Sequence, residues 1–246
     1  MAARLARSGW AIIRCEVTLM QIQNIRWKHF ASISSLWHTA CDVIVQCAAQ
    51  ALSQRGQFSI VLAGGHTPRA VYRLLCKVQT DWSKWHIYYG DERCLPRDHA
   101  DRNSLMAEQA WLNHVAIPAS QIHPIPAELG TEPGAKAYAA TLAGIGDFDV
   151  VLLGLGEDGH TASLFPGEPW DNGGPTIAVT NAPKPPPQRV SISASRLSAA
   201  REVLYLVSGA GKQQAVDDWR AGKLIPAAAV RPKNGVDVYC HSVDIS

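Results

Sequence analysis

The residues best placed for chemistry lie in one run, Phe148-Asp-Val-Val-Leu-Leu-Gly-Leu-Gly-Glu-Asp-Gly-His-Thr-Ala-Ser-Leu-Phe-Pro166. Phe148 to Leu153 reads as a buried strand. A glycine-rich turn, Gly154 to Gly159, follows it and delivers His160. Imidazole titrates near neutral pH, so a histidine there can take or give a proton. Open α/β sheets place their sites at the carboxyl ends of strands, which is where this turn puts His160. A tight turn followed by a capping histidine would use the same residues, and this run alone leaves both readings open.

Gly154, Gly156 and Gly159 also fit G-x-G-x-x-G, the dinucleotide fingerprint. That motif needs a long helix after it and an acidic residue about 20 positions on. Pro166, Gly167 and Pro169 stop any helix within about two turns, and Ile177 to Thr180 carries no acid. The dinucleotide reading is therefore rejected.

Three other strand ends are of the same kind. Phe58 to Ala63 is a short apolar strand that runs into Gly64-Gly65-His66-Thr67-Pro68. Thr67 suits an N-cap and Pro68 a first helical position, which predicts a helix to about Val78. Free backbone N–H groups in such a turn can cradle a phosphate, and a plain strand-to-helix connection fits equally well. Trp85 to Tyr89 is a strand ending in Gly90-Asp91-Glu92-Arg93, three charges that read as a solvated loop rather than core. Glu202 to Val207 is a buried strand, and Ser208-Gly-Ala-Gly-Lys212 then opens a helix to about Trp219. This last turn is not a P-loop, because Gln213 follows the lysine and the glycine spacing fails.

The elements that position these turns follow from periodicity. Trp37, Ala40, Cys41, Ile44, Val45, Ala48, Ala51 and Leu52 make one helical face, stopped at Gly56. Asn103 or Ser104 is predicted to cap a helix reaching His114. Ile122 to Ile125 is a weak strand and Pro133 to Leu142 a helix. From Pro166 the chain is loop-like until Thr176-Ile-Ala-Val-Thr180, and Asn181 to Pro187 is a stiff proline loop. Arg189 to Ser193 alternates as a strand, Ser195 to Arg201 is a short helix, and Val236 to Cys240 is a last strand. Strands alternating with helices from 58 to 240 predict an α/β fold, a mostly parallel sheet covered by helices on both faces. The turns at 64–67, 90–93, 154–160 and 208–212 then share one edge, and four such turns together argue for a site.

Composition sets the outer limits. The 246 residues fit one large α/β domain or two small ones, and 47% apolar content builds a real core. A net charge of +2 without a Lys/Arg block predicts neither a nucleic-acid nor a membrane surface. Cys15, Cys41, Cys47, Cys76, Cys94 and Cys240 show no C-x-x-C spacing, which predicts free thiols and a reducing, cytoplasmic location. Met1 to Leu19 is arginine-rich and has no acid before Glu16. It reads as a targeting peptide or, preferably, as an extension ahead of a start at Met20. Residues 1–19 are thus expected to be a poorly ordered extension and 20–246 a single domain.

Ala63-Gly-Gly-His-Thr-Pro68, Gly90-Asp-Glu-Arg93, Gly154 to Pro166, Lys184-Pro-Pro-Pro-Gln-Arg189 and Gly211-Lys212 together resemble the 6-phosphogluconolactonase family, in order from about Asn24 to Tyr239. Glucosamine-6-phosphate deaminases share the fold and the Asp-Gly-His, but Ala162-Ser-Leu-Phe-Pro166 is of the lactonase type. His66 stands where that family commonly has serine, and Ser191 and Ser193 replace the usual threonines. The resemblance implies a Rossmann-like three-layer fold of the phosphosugar-isomerase kind. It also implies hydrolysis of 6-phosphoglucono-1,5-lactone to 6-phosphogluconate in the pentose phosphate pathway, with no metal and no cofactor. His160 would be the general base and Asp91 would orient it or the substrate. Arg93, Arg189 and Lys212 would hold phosphate or oxyanion, and Gly64, Gly65, Thr67 and Gly156 would complete the substrate site. Ser163 is not read as a nucleophile, because no G-x-S-x-G elbow surrounds it. The partner is a small phosphosugar lactone, and the sequence leaves monomer and dimer open. Two other classes compete: an amino-sugar phosphate isomerase or deaminase, and a non-catalytic phosphosugar sensor, which would lack the histidine.

Overall fold

The computed structural model describes residues 23–245; the expectation for 1–19 lies outside them. Six strands form one parallel sheet: β1 (Ile25–His29), β2 (Phe58–Leu62), β3 (Trp85–Tyr89), β5 (Phe148–Gly154), β8 (Ala200–Ser208) and β9 (Val236–His241). Their spatial order is β1-β9-β8-β5-β2-β3. A second, three-stranded antiparallel sheet has the order β4 (Asp91–Arg93), β7 (Arg189–Ile192), β6 (Thr176–Val179). The helices are α1 (Ile33–Arg55), α2 (His66–Leu75), α3 (Asn103–Ala110), α4 (Thr131–Leu142), α5 (Ala194–Ser198), α6 (Gln213–Arg220) and α7 (Pro226–Ala229).

The chain steps outward from β2 to β3, then crosses back to β5 and continues through β8 to β9. The direction of winding therefore reverses between β2 and β5. That is a topological switch point, where the loops on either side diverge and leave a crevice. Right-handed crossovers place α1 and α2 on one face and α4, α5 and α6 on the other. On the first face, Phe58 and Trp85 meet at 4.5 Å, and Trp111 lies 5.8 Å from both Trp85 and Tyr72 of α2. On the second, Trp219 of α6 packs 4.8 Å from Tyr205 and 5.3 Å from Trp27. Buried from Phe148 through Leu153, β5 is covered on both faces, which is why it reads as a near-continuous apolar run.

Several local expectations change. The sequence reading omits β1 because Ile-Arg-Trp-Lys-His alternates with charge. The strand pairs in parallel with β9, Ile25 opposite Val236, and Arg26 Nε reaches Asp237 Oδ1 at 2.9 Å. Gly90 to Arg93 is not a solvated loop: β4 pairs with β7, and Glu92 is fully buried. Ile122 to Ile125 forms no strand, only an isolated bridge from Ile122 to Ile87. The caps of α2 and α3 also differ. α2 begins at His66 with Gly65 at its N-cap, φ 107°, and no side-chain cap. α3 runs Asn103–Ala110, and its first N–H groups are held by Glu92, which accepts from Asn103 N and Ser104 N at 2.8 Å each.

Candidate active site

The switch point opens into a cleft of about 250 Å³ at the carboxyl edge of β2, β3 and β5. Asp91, Arg93, Asn103, His160, Arg189 and Lys212 line it, with Gly64, Gly65 and Gly156 in its floor and walls. All of the sequence-predicted site residues meet there except Thr67. Thr67 Oγ1 instead bonds Ser208 Oγ at 2.7 Å, tying the start of α2 to the end of β8. The Gly64 and Gly65 N–H groups donate no hydrogen bond among the described residues, so they remain open to a ligand.

His160 is held by its own turn. Its backbone O accepts from Gly156 N at 2.7 Å, and its Nδ1 lies 2.5 Å from Asp158 Oδ1. The ring packs 4.8 Å from Phe165. A Cβ on Gly156 would come 1.9 Å from His160 Nδ1 and 2.5 Å from Asp158 Oδ1, so only glycine leaves room for this pair. Because the Gly156 N–H is already used, that residue shapes the site instead of donating to a ligand. With Nδ1–H directed at a carboxylate, the lone pair on Nε2 is left free for a proton.

Burial lowers the His160 pKa below the ordinary histidine value. The hydrogen bond and charge of Asp158 oppose that shift, Lys184 adds to it, and Asp91 opposes it weakly. The net direction is downward, which favours the neutral ring at neutral pH, with its lone pair open to a proton. Burial would raise the Asp158 carboxyl, but hydrogen bonding and charge from His160 hold it below the usual carboxylate range.

Asp91 makes no hydrogen bond to His160 among the described residues. Its Oδ2 accepts from Ser163 Oγ at 2.5 Å and its Oδ1 from Asn103 Nδ2 at 3.0 Å. Both contacts come from neutral donors, which fix the carboxylate in the cleft wall. The buried Ser163 hydroxyl is committed to Asp91, as a structural donor would be.

The cations come from the second sheet and from the turn after β8. Antiparallel pairing sets Arg93 directly opposite Arg189. Like charges in that position repel, so the pair favours an anion between or beside them. Arg189 is nearly buried, with Nε donating to Pro186 O at 3.0 Å and Nη2 to Lys184 O and Pro185 O at 3.1 Å each. The proline loop thus aims the guanidinium, and Nη1 donates no hydrogen bond among the described residues. Burial lowers the Arg189 pKa; Asp91 opposes this and Arg93 adds to it. Arg93 donates through Nη1 to Asp101 O, and its buried Nε has no partner. Burial also lowers the Lys212 ammonium, opposed by Glu157, with Lys184 adding to the shift. The Lys212 ammonium makes no hydrogen bond within the described residues.

The sequence reading missed Asp158, Lys184 and Asn103 as site residues. Asp158 had a readable signal, a carboxylate two positions before a histidine inside a glycine turn. Among the described residues no group of three or more His, Cys, Asp or Glu could hold a metal ion.

A parallel sheet with a switch-point cleft, a histidine–carboxylate pair and three cations is the arrangement of an α/β protein that can hold an anionic small molecule and move a proton. The family described as glucosamine-6-phosphate isomerases/6-phosphogluconolactonase matches residues 31–239. A 6-phosphogluconolactonase of Mycobacterium tuberculosis is 42% identical over 189 residues, 70% of this chain and 76% of that protein. One from Synechocystis is 40% identical over 178 residues, 69% of this chain and 74% of that protein. The structure of 6-phosphogluconolactonase from Trypanosoma brucei superposes with a TM-score of 0.77 at 29% identity, covering 89% of this chain and 97% of that one. The chain belongs to the glucosamine-6-phosphate isomerase/6-phosphogluconolactonase family.

Proposed function

We propose that the protein is a 6-phosphogluconolactonase, hydrolysing 6-phospho-D-glucono-1,5-lactone to 6-phospho-D-gluconate in the pentose phosphate pathway. The observation that carries the mechanism is the Asp158–His160 pair in a cleft with Arg93, Arg189 and Lys212. The substrate bears a phosphate dianion and an ester carbonyl, and the cleft offers cations for the first and a base for attack on the second. His160 Nε2 takes a proton from water as the water oxygen bonds the lactone carbonyl carbon. Asp158 keeps the tautomer and stabilises the imidazolium that forms. The tetrahedral intermediate carries its charge on the former carbonyl oxygen, where a fixed cation lowers the barrier. On collapse the C1–ring oxygen bond breaks, and the imidazolium returns its proton to the leaving ring oxygen. The product is the open-chain acid.

Arg93, whose Nε and Nη2 are uncommitted among the described residues, suits bidentate contact with phosphate or oxyanion, and Arg189 opposite it offers Nη1. Lys212 and the free N–H groups of Gly64 and Gly65 serve the same substrate, and Asp91 accepts from it. No step uses a cofactor. The five cysteines of the described residues are unpaired, and no helix there is long and apolar enough to cross a membrane. A cytoplasmic enzyme of one domain, acting on a small molecule and binding neither nucleic acid nor membrane, is part of the same proposal.

The test is direct. Purified protein should release acid from freshly made 6-phosphogluconolactone faster than buffer alone and release no ammonia from glucosamine 6-phosphate. Ammonia release without lactone turnover would assign the chain to the deaminase branch instead.

A further inference from the structure

Asn103 is a neutral amide in a cleft wall dominated by charge, and it is almost completely buried. Its backbone N–H is used by Glu92 Oε1 at 2.8 Å. Its Nδ2 donates to Asp91 O and to Asp91 Oδ1, each at 3.0 Å, so both amide hydrogens are committed. The orientation of the amide follows from chemistry. Both Asp91 atoms are acceptors, and a flipped amide would set oxygen against oxygen.

The Oδ1 atom therefore points away from Asp91, toward Gly64, where a Cβ would come within 2.1 Å of it. Only glycine at 64 leaves that oxygen its place. Asn103 Oδ1 accepts no hydrogen bond from the described residues, and it is not sealed away from the cleft that Asn103 lines. A fixed, unfilled acceptor in a substrate cleft calls for a donor on the substrate.

We propose that Asn103 Oδ1 accepts a hydrogen bond from a ring hydroxyl of the lactone. Asn103 is then a specificity-determining residue that selects polyhydroxylated over deoxygenated phosphosugar lactones. This inference rests on the lactonase reading. Asp91 has two linked tasks in it, because its carboxylate also sets which face of the Asn103 amide the substrate meets. No covalent step involves Asn103.

An enzyme–substrate double cycle tests it. Wild type and N103A are assayed for kcat/KM on 6-phosphogluconolactone and on its 2-, 3- and 4-deoxy analogues. One neutral hydrogen bond is worth about 3- to 10-fold. Wild type should lose that factor on the one analogue lacking the contacted hydroxyl. N103A should lose at least the same factor on the full substrate and no further factor on that analogue. A merely structural role for Asn103 would lower all four substrates equally, with each deoxy analogue penalised alike in both proteins. That outcome overturns the inference and leaves the lactonase reading intact. Wild-type protein that hydrolyses no lactone at all overturns both. If N103A does not fold, N103S also removes the amide oxygen while keeping a polar side chain, and it carries the same comparison.

Discussion

Replacing Asp158 with asparagine probes the catalytic pair without changing its shape. In the native protein Asp158 Oδ1 sits 2.5 Å from His160 Nδ1, and its hydrogen bond and charge are the main forces raising the histidine pKa against burial. Asparagine removes the charge. It also permits the amide nitrogen to face Nδ1, which moves the ring hydrogen to Nε2 and leaves no lone pair for water. The expected fall in kcat is about 100- to 10,000-fold, the scale of general base catalysis, or about 3 to 5 kcal/mol at 1.36 kcal/mol per factor of ten. The pH dependence carries a second signature. His160 works as the neutral ring, so wild-type kcat/KM falls as pH drops through its pKa, which lies below the usual value of about 6.5. Without Asp158, burial and Lys184 act with less opposition and the pKa drops further. The acidic limb of D158N should therefore lie at lower pH than that of wild type, beneath a much lower plateau. Steady-state turnover of 6-phosphogluconolactone over a pH series, with circular dichroism as the control for folding, measures both. An unchanged plateau, or a limb displaced to higher pH, would refute the assignment of Asp158.

Arg189→Ala should weaken turnover of the phosphorylated lactone by at least about tenfold more than turnover of unphosphorylated gluconolactone, as loss of a charge-assisted hydrogen bond implies; equal losses on both substrates would remove Arg189 from phosphate binding. Arg102→Leu concerns the scaffold: Arg102 Nε lies 3.1 Å from the fully buried Glu92 carboxylate and Nη1 3.2 Å from Glu128. Leaving Glu92 without its cation should cost about 3–5 kcal/mol by urea denaturation, and a loss under about 1 kcal/mol would show that the backbone donors of α3 satisfy Glu92 unaided.

What could be read from the sequence divides by the range of the interactions involved. β2, β3, β5, β8 and β9 are legible because burial on both faces of a parallel sheet writes a local apolar run, and their glycine turns are local too. Their convergence on one edge follows from handed connections alone. β1 and β4 are not legible in that way. The first is stabilised by pairing with β9 some 200 positions on, and the second by pairing with β7 across the second sheet. Caps misled for the same reason. Thr67 has the type of an N-cap but spends its hydroxyl on Ser208, and α3 takes its cap from Glu92, eleven positions before Asn103. The placement of Asp91 beside Ser163 and Asn103 is likewise tertiary, so sequence could bring Asp91 to the cleft edge without showing that Asp158 is the partner of His160.

The most direct test of the account is turnover of 6-phosphogluconolactone by His160→Ala, measured under single-turnover and steady-state conditions against the wild-type chain. The account predicts kcat lower by at least about 100-fold, the usual contribution of a general base, with the melting temperature preserved because His160 lies in a turn at the cleft rather than in the core. Near-normal turnover in the folded variant would contradict it, since among the described residues no second histidine lines the cleft.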